Sequence, residues 1–190
     1  MKFYLGTQNI GKVGEFEKTW LAPFLMRLPS DIADPVETGK TCEDNAVLKA
    51  RYYNRHLKSP VLSDDSGFFI PSLNDYPGIF SARVVREQGS IERVFEDIMQ
   101  RAESGARAYF LTVLCFIDEQ GKEFIFEGKL EGTLSFPAKG DNGFGYDPIF
   151  KPRGASLSLG ELVPEKKLEV SHRALALEQF KIFFKKSYGI

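Results

Sequence analysis

Residues 108–117, AYFLTVLCFI, place nine apolar side chains in ten positions, interrupted only by Thr112. The run has no polar–apolar alternation, so as a strand it needs cover on both faces. At half the ~20 residues of a membrane-spanning helix it is too short to be one. A chain built around it needs a sheet with further layers packed on it.

The rest of the sequence offers those layers. Residues 1–7 read as a first strand, and Val13, Phe16, Trp20, Leu21 and Phe24 recur at helical spacing after the loop Gln8-Asn9-Ile10-Gly11. Thr41 followed by Asp44 has the form of a capping box, heading a helix with Ala46, Val47, Ala50, Tyr53 and Leu57 on one face. Residues 60–63 read as a strand. Ser90 caps a helix striped by Ile91, Val94, Phe95, Ile98 and Ala102, and the apolar strand is followed by a turn at 119–121 and by EFIFEGKLEGTLSF, a hairpin and its continuation. A last helix begins near Ser171, with Val170, Ala174, Leu177, Phe180 and Phe184 spaced for burial. Strands and helices alternate early and the middle meanders, which predicts an α/β fold with a mixed sheet and helices around it. The 190 residues suffice for one substantial core, and residues 1–190 read as a single domain.

Lys+Arg 25 against Asp+Glu 26 gives a net charge of -1, without the basic excess of a nucleic-acid-binding chain. An anionic ligand must then be met by placed cations. The start, MKFYLGTQN, turns polar too early for a signal peptide, and no stretch has the length of a membrane span, so cytoplasm is the expected location. Cys42 and Cys115 have no metal-binding spacing and argue against a disulfide framework or a zinc site.

Helix starts carry the first chemical signal. The macrodipole disfavours cations in a first turn, yet the first helix opens with Lys12 and the last with His172 and Arg173, preceded by Lys166 and Lys167. Both make sense where an electron-rich group sits, since backbone N–H groups and cations then converge on it. The competing reading is a solvated lysine and a surface His-Arg pair.

The second signal is LSDDSGFF, residues 62–69. Adjacent strand residues point to opposite faces, so Asp64 and Asp65 share one site only where the strand ends, and Gly67 suggests that end. Glu37, in the loop before the second helix, adds another oxygen. Two or three carboxylates beside a phosphate site suit Mg²⁺. Otherwise Asp64 caps a turn and Asp65 forms a surface ion pair. In GDNGFGYDPIF, residues 140–150, Phe144 and Tyr146 offer flat faces for a base and Asp147 a partner for its edge; the alternative is a glycine turn whose aromatics return to the core.

TQNIGK at 7–12, ETGKTCEDNAVLKAR at 37–51, SDDSG at 63–67, PGIFSAR at 77–83, NGFGYDPIF at 142–150 and EKKLEVSHRALAL at 165–177 resemble, in order, the motifs of the inosine triphosphate pyrophosphatase family. The resemblance implies an elongated α/β fold with two lobes around a central active-site cleft, a homodimer, and Mg²⁺-dependent hydrolysis of ITP, dITP or XTP to the monophosphate and pyrophosphate. It implies triphosphate contacts at Thr7, Asn9 and Lys12, metal ligation by Glu37 and Asp65 with Asp64 assisting, Asp65 as general base, and a substrate contact at Ser66. For the base pocket it implies Phe144, Gly145, Tyr146, Asp147, Lys167, Ser171, His172 and Arg173, so that the last helix start meets a base carbonyl rather than a phosphate.

Three positions depart from the pattern: Gln8 stands for a glycine, Cys42 for phenylalanine, and Gly160-Glu161 for Ala-Glu. A pyrophosphatase for pyrimidine or modified nucleotides would keep the metal and phosphate residues and change the base pocket. A phosphatase with an aspartyl nucleophile would want a DxD arrangement, and a nucleotide-binding protein without catalysis would not need Asp65.

Overall fold

The computed structural model describes residues 1–189, and it is a mixed α/β fold. The strands are β1 (Phe3–Gly6), β2 (Leu25–Met26), β3 (Val61–Ile70), β4 (Tyr76–Gly78), β5 (Arg107–Ile117), β6 (Glu123–Leu134) and β7 (Phe150–Pro152). Among the described residues there are six α-helices: α1 (Ile10–Glu17), α2 (Cys42–Leu57), α3 (Ser81–Gln88), α4 (Ile91–Arg101), α5 (Pro164–Val170) and α6 (His172–Tyr188). None is long and apolar enough to cross a membrane. The sheet runs β2-β1-β3-β5-β6-β7, with β4 beside β3. β1 is parallel to both β2 and β3, while β3–β4 and β6–β7 are antiparallel.

By its contacts the chain forms two compact units, each with its own core. The first takes Met1–Ser66, Thr112–Gly128 and the chain from Leu175 on; the second takes Gly67–Leu111 and Lys129–Ala174. In the first, Phe3 and Leu5 of β1, Phe16 of α1, Leu62 of β3, Leu114 and Phe116 of β5 and Phe126 of β6 close on Ala176, Leu177, Phe180 and Phe184 of α6. Phe180 is wholly buried and its ring lies 5.2 Å from those of Phe116 and Phe126 and 5.4 Å from that of Phe184. In the second, Phe68 and Ile70 of β3, Phe110 of β5, Leu134 of β6 and Phe150 of β7 pack with Val94 and Ile98 of α4.

The capping box at Thr41 and Asp44 forms with both of its hydrogen bonds, and Ser90 caps α4 through Arg93 N. Elsewhere the structure corrects the pattern. α1 stops at Glu17, so Trp20, Leu21 and Phe24 lie beyond it in turns, although they still pack on the first core. The Thr19 hydroxyl donates to the Phe16 carbonyl and accepts from Leu21 N, a local alternative to further helix, and Pro23 follows. β3 does not end near Gly67 but continues to Ile70. Gly67 is instead a point of close approach: a Cβ there would stand 2.5 Å from the carbonyl oxygen of Gly78 in β4. Val170 belongs to α5 and is 40% exposed, not part of the buried stripe of α6.

Because Phe180 touches rings from three strands' worth of core, its truncation leaves a large void. Phe180→Ala is expected to cost about 3–5 kcal/mol of unfolding free energy, read as a lowered urea midpoint.

Candidate functional site

The sequence-derived candidates fall into two clusters, one within each unit. In the first, the β1–α1 loop is ordered by its own side chains: Thr7 Oγ1 accepts from Asn9 N at 3.2 Å, and Asn9 caps α1 by accepting from Lys12 N at 3.1 Å. The Lys12 side chain lies inward, where it is 9% exposed and its Nζ meets Asp64 Oδ2 at 2.8 Å. Asp65, next along β3, points to the opposite face, as strand geometry requires, and meets α2. Lys49 Nζ lies 3.3 Å from Asp65 Oδ1 and 2.6 Å from Glu37 Oε1, and so bridges two carboxylates. Asn45 Nδ2 donates to Asp65 Oδ2 at 3.3 Å, while Asn45 Oδ1 accepts from Gly39 N at 2.8 Å, which fixes the amide's orientation. Ser66 follows on β3, half-buried.

Two like charges in mid-strand are thus tolerable because each has its own buried lysine, from a different helix. Burial raises the Asp65 pKa; Lys49 and Lys12 oppose the shift, and Glu37 and Asp64 add to it. For Lys49 burial works against the charge, but Asp65, Asp64 and Glu37 more than reverse it and hold its pKa above the ordinary lysine value. Cys42, at the start of α2, has its thiol pushed far up by burial, so it is inert packing in this cluster.

Lys49 and Asn45 were missed in the sequence. Their signal was there: both fall at helical spacing with Tyr53, beside the apolar Ala46 and Ala50 stripe, and a charge among buried positions needs a partner.

Among the described residues no three Asp, Glu, His or Cys side chains converge as a ready-made metal cage. Mg²⁺ does not need one, since it is held through one or two carboxylates and completes its octahedron with water and phosphate. Asp65 and Glu37, already drawn to a common cation by Lys49, match that donor set; Asp64, expected to assist, is turned to the other face of β3 and meets Lys12 instead.

In the second unit, Lys167 Nζ and Asp147 Oδ2 form an ion pair at 2.8 Å, with both side chains at most 5% exposed. Asp147 Oδ2 also accepts from Phe144 N at 2.8 Å, which folds the 142–147 loop around the carboxylate. Gly143 makes this possible: its φ is +81°, and a Cβ would stand 2.2 Å from Asp147 Oδ2. Gly145 is likewise left-handed, with φ +63°. Phe144 is 39% exposed, with Lys167 Nζ 4.5 Å and the Arg173 guanidinium 6.0 Å from its ring centroid. Tyr146 is core: it stacks on Phe68 at 5.0 Å and donates its hydroxyl to the Ser81 carbonyl. Ser171 Oγ accepts from Ala174 N at 3.1 Å and so caps the start of α6. His172 stacks on Phe110 at 4.6 Å and 9°, and Arg173 is almost wholly buried. The His-Arg pair is therefore no surface pair. Of the aromatic residues in the loop, Phe144 alone keeps an exposed face for a flat ligand, with two cations beside it.

Removing one member of the Lys167–Asp147 pair leaves a buried charge alone. Lys167→Met is expected to lose about 3–5 kcal/mol of stability by urea unfolding, and adding Asp147→Asn to recover most of it, since the coupled pair is worth less than its parts.

The Ham1 family model matches residues 3–183. A protein of Oceanobacillus iheyensis named dITP/XTP pyrophosphatase is 40% identical over 189 residues, covering 94% of this chain and 95% of its own length. One of the same name from Porphyromonas gingivalis is 39% identical over 153 residues, covering 79% and 78%. The solved structure of a HAM1 protein from Coxiella burnetii superposes with a TM-score of 0.84 at 32% identity, over 98% of this chain and 99% of that one. The Staphylococcus aureus Ham1 protein superposes with a TM-score of 0.82 at 28% identity, over 98% and 100%. With a family model spanning nearly its whole length and relatives of this identity and coverage, the chain belongs to the Ham1 family.

Proposed function

We propose that this protein hydrolyses non-standard purine nucleoside triphosphates, dITP, ITP and XTP, to the monophosphate and pyrophosphate. The name shared by its relatives, dITP/XTP pyrophosphatase, supports the reading. The observation that carries it is Asp65, a carboxylate 5% exposed, oriented by Lys49 and Asn45, and made more basic by burial. A base held in place with a raised pKa is suited to orient and deprotonate water at neutral pH.

In this reading the first unit's residues serve the triphosphate. Thr7 and Asn9, the N-terminal N–H groups of α1, and the Lys12 ammonium present donors to phosphate oxygens, with Ser66 next to the base. Glu37 and Asp65 would hold Mg²⁺, while Asp64, expected to assist, lies on the other face of β3 in its pair with Lys12. When bound, the ion offsets phosphate charge and polarises the bond to be broken. Lys49 then has two roles, because the cation that keeps Glu37 and Asp65 together in the free protein is also placed to meet phosphate charge.

The second unit's residues serve the base. Phe144 offers its face, and Arg173, which can only donate, accepts no amino group. The 6-oxo group of hypoxanthine or xanthine satisfies such donors, while the 6-amino group of adenine leaves them unpaired, a mismatch sufficient for about 10²-fold or greater discrimination. Lys167 and Asp147 brace the loop that carries Phe144, and Gly145, Tyr146, Ser171 and His172 shape it. The family resemblance extends the reading to a homodimer acting on the cytoplasmic nucleotide pool.

The test is initial-rate release of pyrophosphate, with orthophosphate measured separately, from dITP, XTP, dGTP, dATP and dTTP in the presence of Mg²⁺. Pyrophosphate from dITP and XTP at a preference of about a hundredfold over dATP is expected. Asp65→Asn should abolish release while leaving nucleotide affinity within about tenfold. Retained turnover in that variant would remove Asp65 from the chemistry.

Lys49→Met makes a separate prediction about metal. Without the ammonium, Glu37 and Asp65 repel each other, and the free variant should be destabilised by about 3–5 kcal/mol. Mg²⁺ should then raise its melting temperature more than that of the native protein, as a thermal melt with and without the ion would record.

A further inference from the structure

Residues 27–41 contain no helix or strand, yet they are tied to α2 at three points. The Tyr53 hydroxyl donates to Asp34, Lys49 Nζ to Glu37, and Asn45 Oδ1 accepts from the backbone N–H of Gly39. The three anchors on α2 are four residues apart, about 6 Å along one face of the helix, and the segment meets them in reverse chain order. It is a strap laid antiparallel along α2. Pro29 and Pro35 stiffen it, and Val36 between two anchors is 80% exposed, so side-chain burial contributes little to its hold.

The strap has one further tie, and it leads elsewhere. The Gln8 side-chain amide donates to the Ile32 carbonyl. Gln8 stands between Thr7 and Asn9 in the loop that opens α1, so this bond joins the phosphate-facing loop to the strap that carries Glu37.

We propose that Gln8 is a positioning residue, which couples the order of the β1–α1 loop to the placement of Glu37 and hence to the affinity for divalent metal. The inference rests on the reading of Glu37 as a metal ligand. Gln8 touches no reacting atom. Its amide holds the strap at Ile32, two residues before the Asp34 anchor, so that the two ties together limit how far the stretch leading to Glu37 can swing from α2.

Gln8→Met keeps the length and backbone freedom of the side chain and removes only the donor, unlike Gln8→Gly, which would also loosen the loop. One hydrogen bond of ordinary worth corresponds to about a fivefold change in an opening equilibrium. Hydrogen–deuterium exchange of residues 31–37 in the nucleotide-free variant should therefore be faster by about fivefold, with α2 unchanged. Mn²⁺ binding to the nucleotide-free protein, followed by electron paramagnetic resonance, should weaken by roughly three- to tenfold, while kcat at saturating Mg²⁺ stays within about twofold. Unchanged exchange in the strap overturns the tie and leaves the proposed activity standing. Faster exchange with unaltered Mn²⁺ affinity overturns the coupling, because a merely structural bond would do that. If the native protein binds no Mn²⁺ while releasing pyrophosphate, the assignment of Glu37 to the metal falls and takes the coupling with it.

Discussion

The arrangement of the first unit depends on how two adjacent carboxylates are kept inside a sheet. A strand cannot turn both toward one neighbour, so Asp64 and Asp65 face opposite ways and each recruits a lysine: Lys12 from α1 and Lys49 from α2. Both lysines are buried, and each would be an uncompensated charge without its aspartate. The helices are therefore held to β3 by charge as well as by packing. Hydrophobic contacts alone would let α1 or α2 slide by a turn at modest cost; a buried ion pair does not, since a slip would leave both of its charges desolvated and unmatched. Much of the local sequence follows from this. Asn9 caps the helix that carries Lys12, and Asn45 stands one turn before Lys49 to take the second oxygen of Asp65.

The second unit solves a similar problem with a loop. Asp147 receives Lys167 from α5 and the Phe144 N–H from its own loop, and the tight wrap passes through Gly143, where any side chain would collide with the carboxylate. The consequence is a phenylalanine presented outward from a rigid base, beside Lys167 and Arg173, whose cations lie toward its ring. An aromatic face is ordinarily taken into a core or left to move. Here its backbone is held through Asp147 while the ring stays partly exposed, an arrangement suited to a flat ligand because less of the site must be ordered on binding.

What was legible in the sequence divides along physical lines. Local signals were sound: the capping box at Thr41 and Asp44, the Ser90 cap, and the uninterrupted strand at 107–117 all depend on near neighbours in the chain. Where packing or a distant backbone decides, the pattern misled. The helical spacing of Trp20, Leu21 and Phe24 reflects burial against α6, with no helix beneath it, and Gly67 marks the approach of β4 where a strand end was expected. Tyr146 and Phe144 look equivalent in GDNGFGYDPIF, and only the structure separates the core ring from the exposed one. α3 and α5 went unseen because seven- and eight-residue helices leave too few turns for a periodicity to register.

Lys49 is the instructive omission. On a helix with Glu43, Asp44, Arg51 and Arg55, one more charge looks like surface decoration. Its position on the stripe of Ala46, Ala50 and Tyr53 says otherwise, because a lysine there must either distort the packing or find a carboxylate. Two were on offer in the sequence, at Glu37 and Asp65, each singled out for metal binding and neither assigned a counter-charge for the free state. Any site that gathers carboxylates for a metal faces the same difficulty before the metal arrives, and a buried lysine whose ammonium can turn from carboxylate to phosphate resolves it without unfolding the site. In the function proposed above, the same ammonium that stabilises the empty arrangement would meet the incoming ligand, and one side chain would carry the electrostatics of both folding and binding.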